Sequence, residues 1–170
     1  MRLAVDLANN PPSDAAELTA RCVDAGVIGP GPGTEADFRA TKRFLDAWLE
    51  VVDAPTPDEK AQLLNRLLAQ SSAHPRLSNH NGLSWHIHYR DLDLPLSGVL
   101  AALFSVGTAL HLTQRGMSRL GRCAAHDCEH VFADVSRNGR QRYCSPACAN
   151  RDAVRRHRLR SAASAPARQR

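Results

Sequence analysis

The spacing of apolar positions changes along the chain, and each change marks a different element. Leu3 to Leu7 is a short apolar segment, and Asp14 to Asp24 reads as a helix that stops at Gly26. "GVIGPGPGTE" then interrupts regular structure with glycines and prolines. From Thr34 onward Phe38, Leu45, Trp48, Leu49 and Val52 recur at roughly three- and four-residue steps, which predicts a helix with one buried face. "TPDEKAQLLNRLLAQ" carries the clearest helix start: Thr56 can cap, Pro57 suits the first helical position and Glu59 completes a capping box. Leu63, Leu64, Leu67 and Leu68 are its apolar stripe.

The polar stretch "SSAHPRLSNHNG" reads as a loop. After it the period falls to two, with Leu83, Trp85, Ile87 and Tyr89 alternating with Ser84, His86, His88 and Arg90. That is the pattern of a half-buried strand whose histidines are exposed. Leu94 to Gln114, "LPLSGVLAALFSVGTALHLTQ", has no charged residue and is nearly long enough to cross a bilayer. Pro95, Gly98, Gly107, His111 and Gln114 interrupt it and no basic cluster flanks it on one side, so it is read as a buried central helix, apolar nearly all round. No internal repeat is visible. The expected fold class is α+β: a mainly helical domain over residues 1–116 with a minor β-strand component, a small module over 119–160, and a disordered basic tail over 161–170 ("SAASAPARQR").

Composition narrows the class. With 170 residues, 43% of them apolar and only 5% aromatic, the chain can bury a core made mostly of Leu, Val and Ala. "MRLAVDLANNPPSD" is too short and too polar for a secretory leader, so the expected location is cytoplasmic. The net charge of +5 conceals a split: residues 119–170 hold 12 arginines against four acidic residues, a net +8, which leaves −3 for residues 1–118. Such asymmetry points the C-terminal third at an anionic partner, nucleic acid before a membrane surface.

Four of the five cysteines, Cys123, Cys128, Cys144 and Cys148, fall within 26 residues. In a reducing compartment this clustering points to metal rather than disulfides, and two short knuckles of thiolates are what tetrahedral Zn²⁺ takes. "HVFADVSRNGRQRY" carries strand-like residues on both sides of Asn138-Gly139, a favoured tight turn, so a hairpin there is expected to return the chain to the second knuckle. Ser145 then caps a helix with Pro146 first and Cys148 on the first turn, a treble-clef-like arrangement. His126 and His130 beside the first knuckle are expected to be exposed loop residues, and Cys22 a small buried hydrophobe.

One structural zinc per chain would fix the base of a helix too short to stand alone. On that helix Arg151, Arg155 and Arg158 share a face, with Arg156 and Arg160 beside it. Arg137, Arg140 and Arg142 add to the same field, which suits phosphates and base edges in a major groove.

"RCAAHDCEHVFADVSRNGRQRYCSPACANRDAVRRHR" resembles the CGNR zinc finger, whose Cys-Gly-Asn-Arg motif carries the last zinc ligand. The resemblance maps the ligands onto Cys123, Cys128, Cys144 and Cys148 and the motif's Asn-Arg pair onto Asn150 and Arg151, with Ala149 where the motif has Gly. The part from "LAVDLANN" through the long apolar helix resembles the ABATE domain that accompanies this finger in bacterial proteins. The resemblance implies a stress-induced transcription regulator whose finger binds double-stranded DNA and whose N-terminal domain senses a small molecule or dimerises. Sequence-specific reading by one helix would call for a homodimer.

Two other classes compete. An interaction module would use the finger for protein or RNA, although Phe132 and Tyr143 are expected in its core rather than exposed for base stacking. An enzyme would need a reacting constellation: His86-x-His88 lacks a third ligand or acid–base partner, and Asp6, Asn9, Trp85 and His111 are residues for a ligand pocket at most. No catalytic residue is assigned.

Overall fold

A computed structural model describes residues 1–27, 31–79 and 85–163. Among them six helices and two short ribbons follow one another as α1 (Arg2–Asn9), α2 (Ala15–Asp24), α3 (Glu35–Asp53), α4 (Pro57–Ser71), β1 (Arg76–Ser78), β2 (His86–His88), α5 (Leu96–Arg115), β3 (Leu120–Arg122), β4 (Val131–Ala133) and α6 (Pro146–Ala163). The architecture is α+β, mainly helical.

Caps explain where the helices begin. The Asp14 side chain accepts from the Glu17 amide at the start of α2. At α3 the Thr34 hydroxyl accepts from the Asp37 amide and Asp37 returns the bond, a complete capping box. At α4 Thr56 accepts from the Glu59 amide at 3.2 Å and Pro57 opens the helix. The box expected from Glu59 does not close there, because Glu59 lies in solvent, whereas Asp37 is buried and also accepts from the Ser97 amide and hydroxyl, both at 2.9 Å.

The core is formed by α3, α4 and α5 packed on one another, with α1 and α2 laid against α3. Trp48, Leu100 and Phe104 are fully or almost fully buried, and the Trp48 indole Nε1–H donates to Thr108 Oγ1 at 2.9 Å, fixing α3 to α5. The Leu3–Leu7 segment proves to be helical, with Ala4 and Leu7 one turn apart and both wholly buried. α5 has the length and composition of a membrane span but serves as the central core helix, half of it buried within the fold.

The β1–β2 ribbon departs from expectation twice. The polar loop supplies β1, antiparallel to β2 with Arg76 opposite His88 and Ser78 opposite His86. The inward face is also the other one: Trp85 is 70% and Ile87 50% exposed, while His88 is 9% exposed. A two-stranded ribbon is too small to impose its apolar face on the core, so its own alternation does not set its phase. Leu83 and Ser84, the start of the expected strand, lie outside the described residues, as does the tail beyond residue 163.

The hairpin expected around Asn138-Gly139 is not a ladder. β4 pairs with β3, Arg122 opposite Val131, across the first cysteine knuckle. The turn is real, Gly139 having φ 67°, but the returning chain is held by side chains. Asp134, 2% exposed, accepts from the Ser136 amide and hydroxyl and the Gln141 amide, and pairs with Arg119 at 3.2 Å. One buried carboxylate thus satisfies the amides that a second strand would have paired.

The ribbon β3–β4 is bound to the helical core on three sides. Lys60 Nζ, buried, donates to the carbonyls of Val52 and Leu120 at 3.0 and 3.1 Å. Asn9 bonds both the carbonyl and the amide of Val131 at 2.9 and 2.7 Å. Arg122 meets Asp53 in a fork of two 2.7 Å bonds. These contacts orient the cysteine cluster relative to the helices.

Candidate metal centre and basic helix

Each knuckle is positioned by elements already described. Cys123 follows β3 and its amide donates to the His130 carbonyl at 2.8 Å, while the Ala124 amide reaches the Arg142 carbonyl at 2.8 Å and draws the two halves together. On the other side Ser145 caps α6 by accepting from the Cys148 amide at 3.2 Å, as its place before Pro146 predicts.

The four sulfurs lie within 4.8 Å of one another. Cys128 and Cys144 are 3.7 Å apart and Cys144 and Cys148 3.6 Å apart, close to the edge of about 3.8 Å that four Zn–S bonds of about 2.3 Å require of a tetrahedron. Donors point at the sulfurs, among them the Cys144 amide at Cys123 Sγ and Arg151 Nη2 at Cys148 Sγ, both 3.4 Å. They offset the negative charge that four thiolates carry. The cluster fits one structural zinc.

With protons in place of metal, the same crowding splits the thiols. The Ser145 hydroxyl pulls Cys148 down to about 7, whereas burial, reinforced by Cys148, Cys128 and Cys123, pushes Cys144 up to about 12. A metal ion held by the four thiolates would resolve the conflict by replacing the protons.

α6 leaves this cluster as an 18-residue helix, exposed from Ala153 to Ser161. Its anchor is Asp152, 7% exposed, which accepts from the Tyr143 hydroxyl at 2.8 Å and pairs with Arg155 and Arg156 at 3.3 and 3.0 Å. Sequence reasoning passed over Asp152 and Asp134; the one signal was an isolated acid amid arginines. Asn150, Arg151, Arg155 and Arg158 line one shallow face of α6 together with Val154 and Leu159. Arg151 also pairs with Asp127 at 2.9 Å, and Arg156 lies beside the face on Asp152. Arg137, Arg140, Arg142 and Arg158 are exposed and make no ion pair among the described residues. Arg160 is exposed further along α6.

The remaining candidates are engaged separately. Asp6 pairs with Arg21 at 2.6 Å, His111 Nε2 bonds the Arg119 carbonyl at 3.1 Å, Asn9 holds Val131, and Trp85 stands in solvent. They do not form the pocket considered from sequence. His126 and His130 are exposed at the knuckle, Cys22 is 1% exposed in the core, and Phe132 and Tyr143 are wholly or partly buried, all as expected.

No curated protein matches the chain. Residues 119–161 match the family model described as "CGNR zinc finger", the segment that holds all four cysteines and α6 up to Ser161. Residues 1–134 match the ABATE model, described as "Putative stress-induced transcription regulator". The match from the first residue to the end of the Asp134-anchored ribbon, more than half of the sequence, makes this chain a member of the ABATE family that carries a CGNR zinc finger.

Proposed function

We propose that this protein is a transcriptional regulator that binds double-stranded DNA through α6, with the four-cysteine centre as a structural clamp. The observation that carries the reading is the bearing of α6: a helix rooted in the metal cluster, exposed beyond Asp152, with Asn150, Arg151, Arg155 and Arg158 along one side. A helix so mounted can enter a major groove, where guanidiniums bind phosphates or guanine edges and an Asn amide matches adenine. Bound zinc supplies rigidity at the helix base and no reaction chemistry. Such a regulator acts in the cytoplasm on the nucleoid, as a non-enzymatic protein, and one recognition helix per chain calls for a homodimer to read a long site.

A second reading, a finger that binds protein or RNA, draws support from Val154 and Leu159, 50% and 57% exposed on the arginine face. Selection from random double-stranded DNA with the zinc-loaded chain distinguishes the two. The expected result is an enriched motif that disappears in the Arg155→Ala, Arg158→Ala variant. Binding without enrichment, or preference for RNA competitor, would transfer the finger to the interaction-module class.

A further inference from the structure

α5 is more apolar than the core requires. Leu100, Phe104 and Leu112 point into the core, yet Leu103 and Leu110, two turns apart, are 48% and 45% exposed on the other side. With Val99, Ala102 and Val106 they floor a groove of about 600 Å³ between α5, the turn after α2 and β2. That volume is of the size that small-molecule sites occupy.

The inverted face of β2 gives this groove a charged edge. His86 and His88 line it with their Nε2 atoms hydrogen-bonded to each other at 3.0 Å, and Arg90 lines it beside them. Arg76, opposite His88 in the ribbon, donates to the Arg90 carbonyl at 2.9 Å and so ties the Arg90 backbone to the ribbon. Neither Arg76 nor Arg90 has a carboxylate within ion-pair distance among the described residues, although Asp91 and Asp93 follow in sequence. A guanidinium at the rim of an apolar floor is complementary to one kind of molecule.

We propose that this groove binds a small amphipathic carboxylate, its apolar body on Val99, Leu103, Val106 and Leu110 and its carboxylate on Arg90. A guanidinium donates to a carboxylate through a fork of N–H groups. A metal ion fits the histidine pair poorly, because a cationic guanidinium flanks it and no third ligand converges on it among the described residues.

Calorimetry on the zinc-loaded full chain tests this independently of any DNA, with octanoate and phenylacetate as carboxylates and 1-octanol as the uncharged match for octanoate. Octanoate should bind saturably with one site per chain, and 1-octanol on the order of tenfold more weakly. Arg90→Gln should erase that difference while leaving 1-octanol unchanged. Leu103→Asp should abolish both, with circular dichroism and melting temperature retained because Leu103 is exposed. Equal affinity for acid and alcohol, no saturable binding of either carboxylate at millimolar concentration, or octanoate binding that survives Leu103→Asp would each overturn the proposal. Self-association that Leu103→Asp removes, in a chain that binds no carboxylate, would overturn it in favour of a second copy.

Discussion

Two buried aspartates organise this protein, Asp37 and Asp134, each by accepting bonds where an element begins or turns. Asp37 is the N3 residue of α3 and also holds the start of α5 through Ser97. Burial works against its charge, but bonds from the Ser97 and Thr34 amides and hydroxyls outweigh it and lower its pKa from 3.8 to about 2. A carboxylate depressed in the folded state stabilises the fold above its unfolded pKa, and that contribution is lost as pH falls from about 4 toward 2. Its size is at most about 2.5 kcal/mol, less whatever solvent screens at the helix start. Urea unfolding of Asp37→Asn should therefore lie below wild type by that order at pH 7 and converge with it near pH 2, and because both chains lose metal alike in acid, the difference isolates Asp37. Asp134 has more depending on it, since its removal leaves the Arg119 charge without its counter-ion and the Ser136 and Gln141 amides without their acceptor. Asp134→Ala should cost about 3 kcal/mol of unfolding free energy, and Ser136→Ala, which removes a single hydroxyl donor, about 1.

Among the elements, α6 is the one that cannot hold itself. It is 18 residues long, rich in arginine, and buries little besides Cys148 and Asp152. An exposed helix of this length is marginal in water, and like charges four apart on its surface, as at Arg151 and Arg155, weaken it further. Removing zinc with a chelator, or replacing Cys148 with Ala, should erase helical circular dichroism worth up to those 18 residues while the cooperative melt of α1–α5 persists. Loss of the whole helical signal would instead make the metal a condition of the entire fold. The same dependence on context explains which elements could be read from sequence. α2, α3, α4 and α5 carry two or more turns of apolar spacing or a recognisable cap, and so were legible. α1 gives only Ala4 and Leu7 as fully buried positions in 8 residues, too few for a period. β2 showed its alternation but not its phase, because a two-stranded ribbon does not impose its apolar face on the core. The ladder of β3 with β4 was hidden because its alternative, strands around Asn138-Gly139, had the better turn; the decision was made by Asp134, whose role depends on burial that no local pattern displays.

For the molecule as a whole, the metal ligands were fully legible, because cysteine spacing is itself the geometric statement, whereas the charge on α6 was legible only as a sum. The fold divides that sum. Asp152 engages Arg155 and Arg156, and Asp127 engages Arg151, but Arg158 has no acid within reach among the described residues. If α6 lies along a phosphate backbone, each arginine that neutralises a phosphate contributes about 0.9 to the slope of log affinity against log salt. Arg158→Ala should then lower that slope by nearly the full amount, and Arg155→Ala by less, since its charge is already partly spent on Asp152. Fluorescence anisotropy on one duplex across a salt series measures both variants side by side. Equal slopes in the two would show that the ion pair to Asp152 opens on binding. A slope unchanged by either would detach α6 from the phosphates and leave Val154 and Leu159 as the surface that a protein partner reads.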